Sequence, residues 1–126
     1  MYGLTGPHGP ETYRREVGWV YSQGAPGVFA GDVFYYSVDH DLRMTAGGID
    51  TNQVAVYLLT GEYDWSATPE MTEELHAAIP GSKYTKMAGI GHFPMTENPD
   101  LFLRHVRPVL AEIAAATGET TQQQKL

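Results

Sequence analysis

The chain has 126 residues, 42% of them hydrophobic, which is enough for one core in a single domain. Its formal charge of −7 would repel nucleic acid and anionic membranes, so we expect neither as a partner. The absence of cysteine excludes disulfides, thiolate nucleophiles and thiolate metal sites.

The first fifty residues predict an arm followed by helices. Glycine and proline make up half of residues 1–10, a composition that indicates a flexible arm. From Glu11 apolar residues recur at three- and four-residue spacing, which predicts a short helix that ends near Gly24. The next stretch, VFAGDVFYYSVDHDLR, has aromatic residues at neither a helical nor a strand period, so we predict short helices and turns whose aromatic side chains fill the core. Residues 11–50 are thus a helical, cap-like segment.

A parallel strand–helix–strand–helix unit is predicted over residues 51–116. The continuous apolar run Val54–Leu59 (VAVYLL) indicates a strand covered on both faces. Thr68-Pro69 provides an N-cap and a first helical residue for the helix that follows. Lys83–Met87 alternates polar and apolar residues, as a strand near a sheet edge does. A single crossover between two such strands requires parallel pairing and favours a right-handed connection, so the predicted class is α/β.

The last helix is predicted to begin at Asn98-Pro99 and to carry an apolar stripe as far as Ile113. Pro108 lies inside it and should kink or split it, at a cost of about 3 kcal/mol at a regular interior position. The polar tail over residues 117–126 is predicted to be disordered.

An aspartate and a histidine follow the two predicted strands. The first strand leads into Leu59-Thr60-Gly61-Glu62-Tyr63-Asp64, and the second leads into a Gly-Ile-Gly turn that ends at His92. Both side chains should emerge at the same edge of the sheet, where ligands of α/β units bind. A carboxylate there can fix the tautomer of the imidazole and stabilise its protonated form. We therefore predict contact between Asp64 and His92, with about 2.6–3.2 Å between a ring nitrogen and a carboxylate oxygen.

These stretches resemble a known family. VYLLTGEYDWSATPE is similar to the seventh strand, acid loop and following helix of α/β-hydrolases, and GIGHFPMTENPDLFLRHVRPVL is similar to their histidine loop and final helix. The resemblance covers residues 54–113 and implies that Asp64 is the triad acid and His92 the triad base, in the order that the family uses. Residues 11–50 would correspond to the family's cap region.

The nucleophile of that family is missing. It lies on a G-x-S-x-G elbow, whereas the nearest pattern here, Val20-Tyr21-Ser22-Gln23-Gly24, lacks the first glycine and falls in a predicted helix, which disfavours Ser22. The resemblance therefore implies the C-terminal half of a partial α/β-hydrolase fold that cleaves ester, amide or carbon–carbon bonds by Ser-His-Asp chemistry. We expect this half to be inactive alone, with its nucleophile in a missing N-terminal half. The alternative is a non-catalytic binding or assembly module that retains a remnant of the fold.

Other acidic and histidine residues are given structural roles. Glu62 competes for the acid role, but a position nearer the strand favours solvation or a bond to backbone. Glu97 is expected to tie the histidine loop to the start of the last helix by accepting backbone hydrogen bonds. His105 is expected to be half-buried on the apolar side of that helix. The motif Asp39-His40-Asp41 has no recognised metal-ligand spacing and is predicted to be a solvated turn, while His8 and His76 carry no functional signal.

The remaining expectations concern partners and location. An uncovered first strand predicts a homo-oligomer or association with the complementary N-terminal half. The aromatic residues between positions 13 and 36 favour a small apolar or aromatic substrate. We expect no cofactor and no metal. Because no apolar run reaches the length of a membrane span and no signal-peptide pattern opens the chain, we predict a soluble, cytoplasmic protein.

Overall fold

A computed structural model describes residues 3, 5–39 and 42–118 of the chain. The described residues form five α-helices and two strands, with single turns of π-helix and 3₁₀-helix between the second helix and the first strand. In chain order the elements are α1 (Glu11–Ser22), α2 (Pro26–Phe34), the π-helical turn Tyr35–Asp39, the 3₁₀ turn Ala46–Gly48, β1 (Tyr57–Gly61), α3 (Pro69–Ala78), β2 (Lys83–Met87), α4 (Pro94–Glu97) and α5 (Pro99–Thr117).

The two strands form a parallel sheet with α3 as the crossover, which confirms the predicted pairing. Tyr57 lies opposite Lys83, and Gly61 lies opposite Met87. Hydroxyl groups of Thr60 in β1 and Thr72 in α3 approach to 2.5 Å and join the helix to the strand. The parallel arrangement brings the carboxyl ends of both strands to one edge of the sheet.

The bounds of β1 differ from the predicted run Val54–Leu59, while those of β2 agree with the prediction. Val54 lies in a turn, because its N–H donates to the carbonyl of Asp50 at 3.1 Å, and its side chain is exposed. The strand instead extends to Gly61. The apolar run thus identified the strand, but local hydrogen bonds to Asp50 delay its start by three residues.

Helix starts follow the predicted chemistry. The Thr68 hydroxyl accepts the N–H of Met71 at 3.3 Å, and the Asn98 side chain accepts the N–H of Leu101 at 3.2 Å, so both residues cap their helices as expected. Hydrogen bonding, first to the Thr68 hydroxyl, also lowers the pKa of Glu70 in the first turn of α3.

Pro108 does not split the last helix. Helix α5 continues through it from Pro99 to Thr117, so of the two predicted outcomes, a kink or a split, the split is wrong. Pro108 has no N–H to donate to the carbonyl of Arg104. Residues 104 and 108 both lie on the exposed side of the helix, so water can hydrogen-bond that carbonyl instead. An ion pair between Lys83 and Glu112 links α5 to β2. The predicted tail falls mostly on residues 119–126, which lie outside the described residues.

The apolar core is small. Its buried apolar side chains are Val17, Ala46, Ile79, Met87 and Ile90. The aromatic side chains of the stretch VFAGDVFYYSVDHDLR were expected to fill the core, but Phe29 is 59% exposed and Tyr36 is 71% exposed. No helix among the described residues is both long and apolar enough to cross a membrane.

Candidate acid–base site

Two loops at the carboxyl edge of the sheet form the candidate site. The acid loop (residues 62–67) follows β1, and the histidine loop (residues 88–93) follows β2. Gly61, the last residue of β1, permits close approach: a Cβ there would lie 2.2 Å from the carbonyl oxygen of Gly91. Only a residue without a side chain fits there, so the end of β1 is in direct backbone contact with the histidine loop.

Backbone and side-chain hydrogen bonds fix the loops against each other. The N–H of Tyr63 donates to the carbonyl of Ile90 at 2.9 Å. The carboxylate of Glu62 accepts the N–H of Gly89 at 2.9 Å. Glu62 is therefore bonded to backbone, as expected of this rival for the acid role.

His92 and Asp64 are in contact. The imidazole Nδ1 lies 2.8 Å from Asp64 Oδ2, which confirms the predicted distance between residues 28 positions apart in sequence. The other oxygen, Oδ1, accepts the N–H groups of Ser66 and Ala67, both at 2.9 Å. Asp64 is only 8% exposed, so three donors hold a buried carboxylate in one orientation. An ionised carboxylate can only accept, so a hydrogen bond to it requires the proton of a neutral His92 ring to be on Nδ1, which leaves Nε2 as the unprotonated nitrogen.

The second ring nitrogen of His92 is open. No hydrogen bond joins Nε2 to any residue in the part of the chain that the structure describes, and the side chain is 30% exposed. The ring is held on one side by Phe93, at 4.8 Å between centroids in an edge-to-face contact. A hydroxyl group could therefore approach Nε2 without displacing a hydrogen bond to a described residue.

Ser22 is not placed as a partner for this histidine. Its hydroxyl donates to the carbonyl of Trp19 at 2.7 Å, a bond within α1. Across the described residues, no side-chain hydroxyl is hydrogen-bonded to His92.

Glu97 makes the predicted contact and a second one that the sequence did not indicate. Its carboxylate accepts the N–H of Gly91, and it also accepts the N–H of Gly6, 91 positions away. The described part of the predicted flexible arm is thus docked on the site loops. The indole N–H of Trp65 likewise donates to the carbonyl of Gly3 at 3.0 Å. No local spacing could indicate contacts over such separations.

The other histidines lie outside the pair. His76 Nδ1 lies 2.8 Å from the Ser82 hydroxyl, His8 packs against Tyr63, and His105 is half-buried in α5. Residues 40 and 41 of the Asp39-His40-Asp41 motif lie outside the described residues. Within the described part of the chain, no group of three or more acidic or histidine residues could hold a metal ion.

A small cavity lies beside Asp64 and His92, and a larger groove lies nearby on the helices α1 and α2. The cavity, about 110 Å³, is lined by residues that include Gly61, Asp64 and His92. The groove, about 330 Å³, lies between α1 and α2, and Tyr21 lines it. The Tyr21 ring also packs against Phe93 at 5.1 Å between centroids, which links the groove to the histidine loop.

Comparisons of the chain with protein-family models, with curated proteins and with solved structures find no match.

Proposed function

We propose that this chain supplies the acid and base of an α/β-hydrolase-type site that cleaves ester, amide or carbon–carbon bonds. The observation that carries the proposal is the 2.8 Å contact between His92 Nδ1 and a buried Asp64 carboxylate, at the carboxyl edge of a parallel strand pair. The order of the acid and the histidine along the chain agrees with that enzyme class.

The chemistry follows from the two ring nitrogens. His92 Nε2 takes the proton of a nucleophilic hydroxyl as that oxygen attacks the substrate carbon, and it later returns the proton to the leaving group. Asp64 keeps the proton on Nδ1 before the reaction and stabilises the imidazolium that forms during it. The two backbone N–H groups on Asp64 Oδ1 keep the other carboxylate oxygen aimed at the ring.

The nucleophile in this proposal comes from a segment that these 126 residues do not contain. The sequence has no G-x-S-x-G elbow, and the Ser22 hydroxyl is engaged with the Trp19 carbonyl. The cavity of about 110 Å³ beside the pair is also smaller than the roughly 300–1,000 Å³ of ordinary small-molecule sites. Both features fit a half-site that is completed by another polypeptide segment.

An apolar or aromatic substrate fits this half-site. The groove between α1 and α2 is lined mainly by apolar side chains, among them Val20, Val28 and Phe29. The contact of Tyr21 with Phe93, and of Phe93 with His92, puts aromatic surface between the groove and the base.

A non-catalytic assembly module is the second candidate, and exposed apolar side chains favour it. Trp19 is 67% exposed, Val28 61% and Phe34 58%, and apolar side chains that are exposed together are typical of protein–protein contact surfaces. In this role His92 and Asp64 would hold the two loops together and perform no reaction.

Ester hydrolysis by two proteins tests the proposal. The 126-residue chain alone should not hydrolyse p-nitrophenyl butyrate above the buffer rate, because it lacks the nucleophile. The chain joined to the polypeptide encoded directly upstream, where we expect a G-x-S-x-G elbow, should hydrolyse it. In that longer protein Asp64→Asn should lower kcat by about 10⁴-fold, since a triad without its acid loses the required tautomer.

The control variant is His105→Ala, which removes a histidine that does not contact the pair and should leave kcat unchanged. An upstream sequence without an elbow would favour the assembly module. Turnover by the 126-residue chain that His92→Ala abolishes would also contradict the proposal and would make Ser22 the first candidate nucleophile.

A further inference from the structure

Glu97 is a fully buried carboxylate that the acid–base chemistry does not use. It is 0% exposed. Its oxygens accept two different backbone N–H groups, from Gly91 through Oε1 and from Gly6 through Oε2, and no cation is paired with it among the described residues. A buried carboxylate is costly without such bonds, so both donors contribute to keeping it inside.

The bond to Gly91 acts directly on the site. Gly91 precedes His92 in the chain, and its carbonyl oxygen is the atom that lies closest to the Cβ position of Gly61. Gly91 therefore lies between the Glu97 carboxylate and Gly61, the residue that leads into the acid loop. Because Gly91 is bonded directly to His92, we expect a displacement of Gly91 to move the His92 ring relative to Asp64.

The bond to Gly6 holds the described N-terminal segment (residues 3 and 5–9). A Cβ on Gly6 would lie 2.7 Å from the Gly89 carbonyl oxygen, so this segment is in contact with the histidine loop. The same segment contacts the acid loop through the Gly3 carbonyl, which accepts the Trp65 indole N–H. It thus spans both loops of the site.

We propose that Glu97 is a positioning residue that couples the docked N-terminal segment to the histidine loop and thereby holds His92 Nδ1 on Asp64. The functional meaning of this coupling rests on the proposed acid–base role of the pair. Without the Glu97 carboxylate, or without the docked segment, the His92 ring loses its single orientation.

The chemistry of glutamine gives a selective test. In Glu97→Gln only the amide oxygen can accept, so one of the two backbone N–H groups would face an NH₂ donor. Glu62→Gln is the matched control, because Glu62 accepts one N–H from the same loop, at Gly89, and its amide oxygen can replace the carboxylate there. Both variants make the same chemical change, but only the first leaves a buried donor unpaired.

Two glycine variants test whether docking of the N-terminal segment affects His92. Gly6→Ala places a methyl group against the backbone of the histidine loop, whereas a Cβ on Gly3 meets nothing within 4 Å, so Gly3→Ala is the control. In all four ¹⁵N-labelled proteins, NMR measures the tautomer of His92 and the exchange rate of its Nδ1–H with solvent. We expect exchange at least about tenfold faster and a mixed tautomer in Glu97→Gln and Gly6→Ala, and wild-type behaviour in both controls.

Wild-type His92 signals in cooperatively folded Glu97→Gln and Gly6→Ala would overturn the proposal. Should Glu97→Gln fail to fold, Gly6→Ala decides, since unchanged signals there would remove the coupling to the N-terminal segment. Equal effects in Glu97→Gln and Glu62→Gln would also overturn it. Changed His92 signals in a protein whose longer form hydrolyses no ester would leave the positioning role standing and remove the proposed function instead.

Discussion

At the level of single residues, one glycine decides whether Asp64 and His92 can meet. Gly61 ends β1 and faces the carbonyl oxygens of Ile90 and Gly91, which would lie 2.7 and 2.2 Å from its Cβ. Backbone atoms on both sides cannot rotate away as the end of a flexible side chain can. The contact between Asp64 and His92 therefore depends on this position being glycine.

Gly61→Ala should destabilise the protein by about 1–3 kcal/mol, because the added methyl group forces the two loops apart. Gly18→Ala is the control: it lies within α1, a Cβ there meets nothing within 4 Å, and alanine should stabilise a helix interior by up to about 1 kcal/mol. Urea unfolding measures both changes. Equal stability of Gly61→Ala and the wild type would contradict the close packing of the loops.

The pair could be predicted from sequence, but the carboxylate that supports it could be predicted only in part. Asp64 and His92 each follow a strand, and the rule that parallel strands end at one edge brings them together without further information. The contact of Glu97 with Gly91 is local, across six positions. Its contact with Gly6 spans 91 positions and depends on the path of an irregular segment, for which no periodicity exists.

At the level of secondary structure, the hydrophobic pattern identified the two strands, and capping residues identified the starts of α3 and α5. The start of β1 was misplaced because VAVYLL is apolar throughout, whereas the backbone of Val54 bonds to Asp50. The aromatic side chains of α2 were predicted to fill the core but are exposed. Apolar composition shows that a side chain favours burial, but it does not show which element would bury it.

Pro108→Ala should stabilise the protein by about 1–3 kcal/mol, because α5 passes through this exposed position unbroken and alanine restores an N–H for the carbonyl of Arg104. Urea unfolding monitored by circular dichroism checks the change. A loss of stability would mean that α5 needs a bend at this position, as the sequence had suggested.

At the scale of the whole molecule, the described residues leave much apolar surface without cover. In the described part of the chain the sheet has two strands, so one edge of β1 has no strand partner. The exposed aromatic side chains of α2 add a second uncovered surface, in which Phe29 is 59% exposed and Phe34 58%. Open edges and apolar patches of this kind favour association.

We therefore predict that the 126-residue chain is a dimer or a larger assembly in solution. Pairing of β1 with its copy about a two-fold axis would satisfy its open edge, and association through α2 would cover the aromatic side chains. Sedimentation velocity over a range of protein concentrations measures the state. A compact monomer at the highest concentration would contradict this prediction.

The proposed function requires Asp64 to keep the proton of the neutral His92 ring on Nδ1, so the tautomer of His92 is the decisive measurement. ¹⁵N–¹H multiple-bond NMR on the neutral ring distinguishes Nδ1–H from Nε2–H. Because a 2.8 Å contact joins Nδ1 to Asp64 Oδ2, we predict the Nδ1–H tautomer in the wild type and its loss in Asp64→Asn. A neutral His92 protonated on Nε2, with a spectrum that Asp64→Asn does not change, would contradict the proposed role of Asp64.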